Sequence, residues 1–173
     1  MAVSYIGFGS NIGDREKNII RALAFWAANE STQIVKISGL YETQPVGYLN
    51  QADFLNGVVC VETTKTTLEL LAICLQIEQK LARTRTIRWG PRSIDLDVLL
   101  YDDVVLKSSE LTLPHKELGN RLFVLQPLAE IAADVIVPDS KKTISRLLQE
   151  TSDISRIRLV RESTELLSMI EKV

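Results

Sequence analysis

At 173 residues the chain is sized for one domain, and 46% hydrophobic residues are enough to build a core without cross-links. Twenty basic against 22 acidic side chains leave a net charge of -2, which excludes the broad electropositive surface of a nucleic-acid binder and confines any anion site to a local cluster. No apolar run reaches the ~18 residues of a membrane span, no basic stretch leads into a signal-length apolar segment, and Cys60 and Cys74 read as buried thiols rather than a disulfide or zinc set, so a soluble, reducing, cytoplasmic setting is expected.

Residues 3–8 read as a strand running into Gly9-Ser10-Asn11-Ile12-Gly13-Asp14, a turn rich in helix-capping residues. Ile19, Ile20, Leu23, Trp26 and Ala27 recur at the helical period and predict an amphipathic helix over 15–28. Two β-type runs follow, 34–41 and 54–63, joined by a connection containing Gln44-Pro45-Val46-Gly47 that is long for a hairpin and therefore a candidate substrate loop. A second helix is expected from 66 to about 82, with Leu68, Leu71, Leu75 and Ile77 among its apolar positions. Arg83, Arg85, Arg88 and Arg92 then punctuate an exposed connection leading into a strand at 94–100. Asp102-Asp103 predicts a hairpin turn into 104–106, and short helical pieces are expected at 123–132 and 143–149.

The order β-α-β-β-α-β predicts an α+β fold of ferredoxin-like arrangement, an antiparallel sheet with two helices on one face, here with an added hairpin and short C-terminal helices. One domain should span 1–173. Such folds host enzymes, ligand sensors and RNA-binding modules, so side chains must decide. The RNA reading is weak because residues 58–61 are aliphatic where an RNA-recognition sheet displays aromatics.

The decisive segment is 88–100, Arg-Trp-Gly-Pro-Arg-Ser-Ile-Asp-Leu-Asp-Val-Leu-Leu. On an extended strand Asp95 and Asp97 share one face, while Ile94, Leu96, Val98 and Leu100 share the other. Paired carboxylates favour a hard cation such as Mg²⁺, and Arg88 and Arg92, delivered by the Gly90-Pro91 turn, suit an anionic substrate. The glycine turn fails the dinucleotide fingerprint because Ile12 stands where the third glycine is needed, and no phosphate-cradling Gly-x4-Gly-Lys-Ser/Thr occurs. A nucleotide must then be held mainly by side chains and metal. The turn is equally a strand-to-helix connection capped by Ser10, Asn11 or Asp14.

The 88–100 segment, Gly9-Ser10-Asn11-Ile12-Gly13-Asp14 and Leu113-Pro114-His115, in this order over about 3–139, resemble the 6-hydroxymethyl-7,8-dihydropterin pyrophosphokinase family. The resemblance implies an ATP- and Mg²⁺-dependent transfer of the β,γ-diphosphate of ATP to the hydroxymethyl group of a reduced pterin, giving AMP, in folate biosynthesis. It implies two Mg²⁺ ions on Asp95 and Asp97, with Arg83 and Arg92 stabilising charge as the bond to the α-phosphate breaks. It assigns Glu78, Arg85, Arg88, Trp89, Arg92, Val98, Thr112, His115 and Arg121 to the ATP side. It assigns Thr43, Val46, Phe54, Asn56, Trp89, Asp95 and Phe123 to the pterin. The pterin residue types suit their task, since two aromatic faces can hold a flat heterocycle while an amide donates to and accepts from its edge. Without the resemblance, Phe54 and Phe123 read as core packing and His115 as an ordinary loop histidine.

Leu75 and Lys116 depart from the polar and aromatic residues common in the family, which places the departure at the adenine end. Residues 151–173, containing the stretch 154–160 and a helical pattern at 162–171, extend past the resembling region as a cover for the domain or a partner contact. A monomer is expected, with a dimer as the alternative, and no nucleic-acid or membrane partner. The competing readings are another Mg²⁺-dependent phosphoryl or nucleotidyl transferase and a non-catalytic sensing domain; the acidic pair beside four arginines disfavours the second.

Overall fold

The computed structural model describes residues 1–47, 49–81 and 90–173. Strand β1 (Ala2–Ser10) leads into helix α1 (Arg15–Ala27), strands β2 (Thr32–Ile37), β3 (Leu40–Thr43) and β4 (Phe54–Thr63), helix α2 (Thr67–Lys80) and strand β5 (Asp95–Tyr101). A small hairpin, β6 (Leu106–Lys107) and β7 (Thr112–Leu113), precedes helices α3 (Leu122–Ala132) and α4 (Ile144–Glu150), strand β8 (Ile157–Arg161) and helix α5 (Ser163–Ile170). The main sheet runs β5-β1-β4-β3-β8, with β2 also on β4, and all its pairs are antiparallel.

Local signals set the helix ends. Asp14, rather than Ser10 or Asn11, caps α1 by accepting the Lys17 N–H at 3.0 Å. Thr66 and Glu69 form a reciprocal capping box that starts α2. Alternation along β1 sends Ile6 and Phe8 to one side, where they meet Ile19, Leu23 and Trp26 of α1 and Leu70, Cys74 and Ile77 of α2. Cys60 and Cys74 are both buried free thiols, as expected.

Helices α1 and α2 share one face of the sheet, as expected, and α3 and α4 cover the other. Leu125, Leu128 and Ala132 of α3 and Ile144 of α4 bury Val58, Leu99 and Leu100 on the second face. Leu100 therefore leaves the face of Ile94, Leu96 and Val98. Between Tyr5↔Leu100 and Ile6↔Val98 the register slips by one residue, and this bulge flips the side-chain order.

The expected 34–41 strand is two strands. Ser38 interrupts the ladder: its hydroxyl accepts the Val58 N–H at 2.9 Å and donates to the Gly39 carbonyl at 2.8 Å. Gly39 passes so close to β8 that a Cβ there would stand 2.5 Å from the Leu159 side chain and 2.8 Å from the Arg161 carbonyl. The turn at residues 102–103 leads not to a hairpin with β5 but to β6, which pairs with β7. The 151–173 segment belongs to the fold itself, since β8 extends the sheet beyond β3 and Leu166 of α5 joins the core.

Candidate active site

The second face of the sheet carries the site. Across three neighbouring strands Asn56, Gly9 and Asp95 stand in one row, and Val58, Gly7 and Asp97 in another. Directly paired antiparallel residues share a face, so Asp95, Asp97 and Asn56 converge over two glycines. Gly9 keeps that floor low: a Cβ there would lie 2.3 Å from Asn56 Oδ1. The motif read as a nucleotide or capping turn is thus in part a strand whose missing side chain makes room.

Above these rows opens a cleft of ≈ 410 Å³. Of the residues assigned to the pterin, Thr43, Val46, Phe54, Asn56, Asp95 and Phe123 all line it, and so do Arg92, Asp97, His115 and Arg121 from the ATP and catalytic sets. Arg83, Arg85, Arg88 and Trp89 lie outside the described residues. Gln44, Gly90, Lys116 and Glu117 also line the cleft. The long loop after β3 signalled Gln44. Glu117 had a signal in its i,i+4 spacing to Arg121, with which it pairs at 3.7 Å.

Three ATP-side assignments fall away from the cleft. Val98 is 2% exposed and packs into the core on the opposite face from the carboxylates. Thr112 sits in the β6–β7 hairpin and does not line the cleft. Glu78 is 3% exposed, and its Oε1 accepts the Leu96 N–H at 2.8 Å, so this carboxylate fastens α2 to the strand between the two aspartates. Leu75 is an exposed residue of α2.

The polar residues are held. Asn56 Nδ2 donates to Thr43 Oγ1 at 2.7 Å, which orients its carboxamide. Arg92 donates to Asp95 Oδ2 and lies 5.9 Å from the Phe54 ring centroid, while Arg121 lies 5.7 Å from that of Phe123. Asn11, which sequence reading assigned only a possible capping role, clasps the arginine segment instead. Its N–H donates to the Arg92 carbonyl at 3.1 Å, its Oδ1 accepts the Arg92 N–H at 2.9 Å, and its Nδ2 donates to Gln51 and Ala52.

Burial, reinforced by the charges of Arg121 and Lys116, pushes the His115 pKa below its ordinary value and favours the neutral ring. Its Nδ1 accepts the Glu117 N–H at 3.3 Å. Among the described residues, no group of three or more His, Cys, Asp or Glu converges on one point. The Asp95–Asp97 pair is thus a two-carboxylate donor set, which fits Mg²⁺ because that ion keeps several positions for water and phosphate oxygens.

Residues 5–133 match the profile of the 7,8-dihydro-6-hydroxymethylpterin-pyrophosphokinase (HPPK) family. The chain is 47% identical over 133 residues to the 2-amino-4-hydroxy-6-hydroxymethyldihydropteridine pyrophosphokinase of Bacillus subtilis, covering 77% of this chain and 80% of that protein. It is 36% identical over 159 residues to the protein of the same name from Haemophilus influenzae, covering 92% and 99%. A crystal structure of Plasmodium falciparum HPPK-DHPS superposes with a TM-score of 0.69 at 14% identity over 86% of this chain and 43% of that longer one, a likeness of fold.

Proposed function

The chain belongs to the 7,8-dihydro-6-hydroxymethylpterin-pyrophosphokinase family, and we propose how its cleft performs the family's reaction: transfer of the β,γ-diphosphate of ATP to the hydroxymethyl group of 6-hydroxymethyl-7,8-dihydropterin, yielding AMP, in folate biosynthesis. The observation that carries the assignment is the meeting, in one cleft, of an aromatic and amide pocket, two carboxylates and a cationic rim.

Phe54 and Phe123 take the faces of the pterin, and the Asn56 carboxamide, oriented by Thr43, reads its edge. Val46 closes the apolar side. Asp95 and Asp97 would hold Mg²⁺, two ions when ATP is bound, with Asp95 at the hydroxymethyl end. Bound there, Mg²⁺ would orient the triphosphate, draw charge from the attacked phosphorus and acidify the attacking alcohol. Arg92 stabilises the charge that develops as the bond to the α-phosphate breaks, with Arg83 its partner in that role. Arg121, Lys116 and neutral His115 serve the ATP side, along with Arg85, Arg88 and Trp89. Glu78 acts from beneath by holding β5.

The strand order β5-β1-β4-β3 supports a ferredoxin-like reading of the core. The chain works as a monomer in the cytoplasm with ATP and the reduced pterin as its partners, without nucleic acid or membrane. No helix among the described residues is long and apolar enough to cross a membrane.

Chromatography of the products tests this reading. Incubation with Mg²⁺, ATP and the hydroxymethyl dihydropterin should give AMP and a diphosphorylated pterin in equal amounts; product formation that is independent of Mg²⁺ would overturn the metal role.

A further inference from the structure

Residue 156 lies past the stretch matched by the family profile, yet it touches both ends of the loop that walls the cleft. At one end its carbonyl accepts the Gln44 N–H at 3.4 Å, continuing the β3–β8 ladder past Thr43↔Ile157. At the other its guanidinium donates to Asp53 Oδ2 at 2.6 Å. Thr43 and Gln44 before the loop and Phe54 after it all line the cleft, as does Val46 within it.

Neighbouring charges brace the same junction. Arg15 donates to the Asp53 carbonyl at 2.8 Å and to Glu42 at 3.0 Å, and Arg158 of β8 donates to the other Glu42 oxygen at 2.6 Å. These two arginines hold the Glu42 carboxyl below its usual pKa. Asp53, one residue before Phe54, is therefore gripped through its backbone by α1 and through its side chain by the residue leading into the C-terminal strand.

We propose that Arg156 is a positioning residue for the pterin pocket, latching the 44–53 loop to β8 through Gln44 and Asp53. The proposal rests on the pterin reading of that pocket. The Arg156 side chain is 70% exposed, so the latch is a solvated pair of modest strength that salt screens.

The test uses the full chain. Arg156→Ala should raise the pterin KM about two- to fivefold, with kcat, the ATP KM and Tm unchanged, in keeping with the removal of one exposed pair. Arg156→Lys should restore most of the affinity, 0.5 M NaCl should erase the difference, and Arg156→Ala should add nothing in an Asp53→Ala background. An unchanged pterin KM, or pterin and ATP constants moving together with a falling Tm, would overturn the latch. Calorimetric titration with the pterin, in wild type and variant, separates the two claims. Pterin binding without turnover in the wild type would defeat the reaction assigned to the cleft and leave the latch to be judged by the variant; no pterin binding at all would defeat both.

Discussion

The carboxamide of Asn56 occupies the space that a side chain on Gly9 would take, with Oδ1 only 2.3 Å from the site of a Cβ. Both residues are on paired strands of a sheet, so neither backbone can retreat cheaply. Gly9→Ala should push the Asn56 amide away from Thr43 and out of register with the pterin edge. Calorimetry should find pterin affinity reduced at least about tenfold, the effect of removing one well-placed hydrogen bond from a buried site, and ATP affinity retained. Unaltered pterin affinity would refute Asn56 as the reader of the pterin edge.

Asp97 is exposed on β5 and faces the cleft, so its replacement should not disturb packing. Asp97→Ala should leave the thermal midpoint within experimental error and lower turnover by about a hundredfold or more, as removal of several kcal/mol of metal-derived stabilisation requires. Steady-state rates measured across a Mg²⁺ titration check it. Near-normal turnover with an unchanged Mg²⁺ requirement would contradict the role.

Glu78 makes a different prediction because it supports the strand rather than the substrate. Glu78→Ala strips the buried Leu96 N–H of its acceptor and should cost about 1–3 kcal/mol in urea unfolding. Glu78→Gln keeps an acceptor oxygen and should recover most of that stability. Equal destabilisation by both variants would show that charge, not the hydrogen bond, is what matters at this position.

His115 gives stability a pH dependence of fixed sign. Its pKa is depressed in the folded chain, chiefly by burial and then by Arg121 and Lys116, so the unfolded chain binds the proton more readily. The contribution is whole above the unfolded value near 6.5 and is lost as pH falls through the lower folded value. Unfolding free energy measured from pH 7 downward should therefore fall more steeply for the wild type than for His115→Gln. Parallel curves would remove His115 as the source.

Strands and helices with strong internal patterns were legible without the structure. The short apolar, valine-rich run within 54–63 and the helical spacing of Ile19, Leu23 and Trp26 need no distant partner to be read. The split at Ser38–Gly39 was not legible, because it arises from a hydroxyl replacing a ladder bond with β4 and from close approach to β8, more than 100 residues away in sequence. The bulge that moves Leu100 across the sheet is likewise a property of pairing with β1. Residues 157–161 alternate too briefly to announce that they complete the main sheet.

The site divides in the same way. Asp95 and Asp97 share a face by strand period alone, and the loop after β3 was marked by its length. Phe54 and Phe123 are ordinary core types, Asn56 is one amide within an apolar strand, and their convergence needs separate elements brought together. Glu78 was assigned to the ATP side instead, since nothing in its sequence neighbours reveals that the Leu96 N–H points at it. Asn11 was hidden for the same reason: its partners lie at residues 51, 52 and 92.

The most direct measurement is ³¹P NMR of the full chain turning over Mg²⁺-ATP and 6-hydroxymethyl-7,8-dihydropterin, with Asp97→Ala alongside. The wild type should show matched growth of AMP and a pterin-linked diphosphate, and the variant almost none over the same time. Accumulation of ADP or free pyrophosphate by the wild type, or an unimpaired variant, would contradict the diphosphate transfer and the role of the carboxylate pair in it.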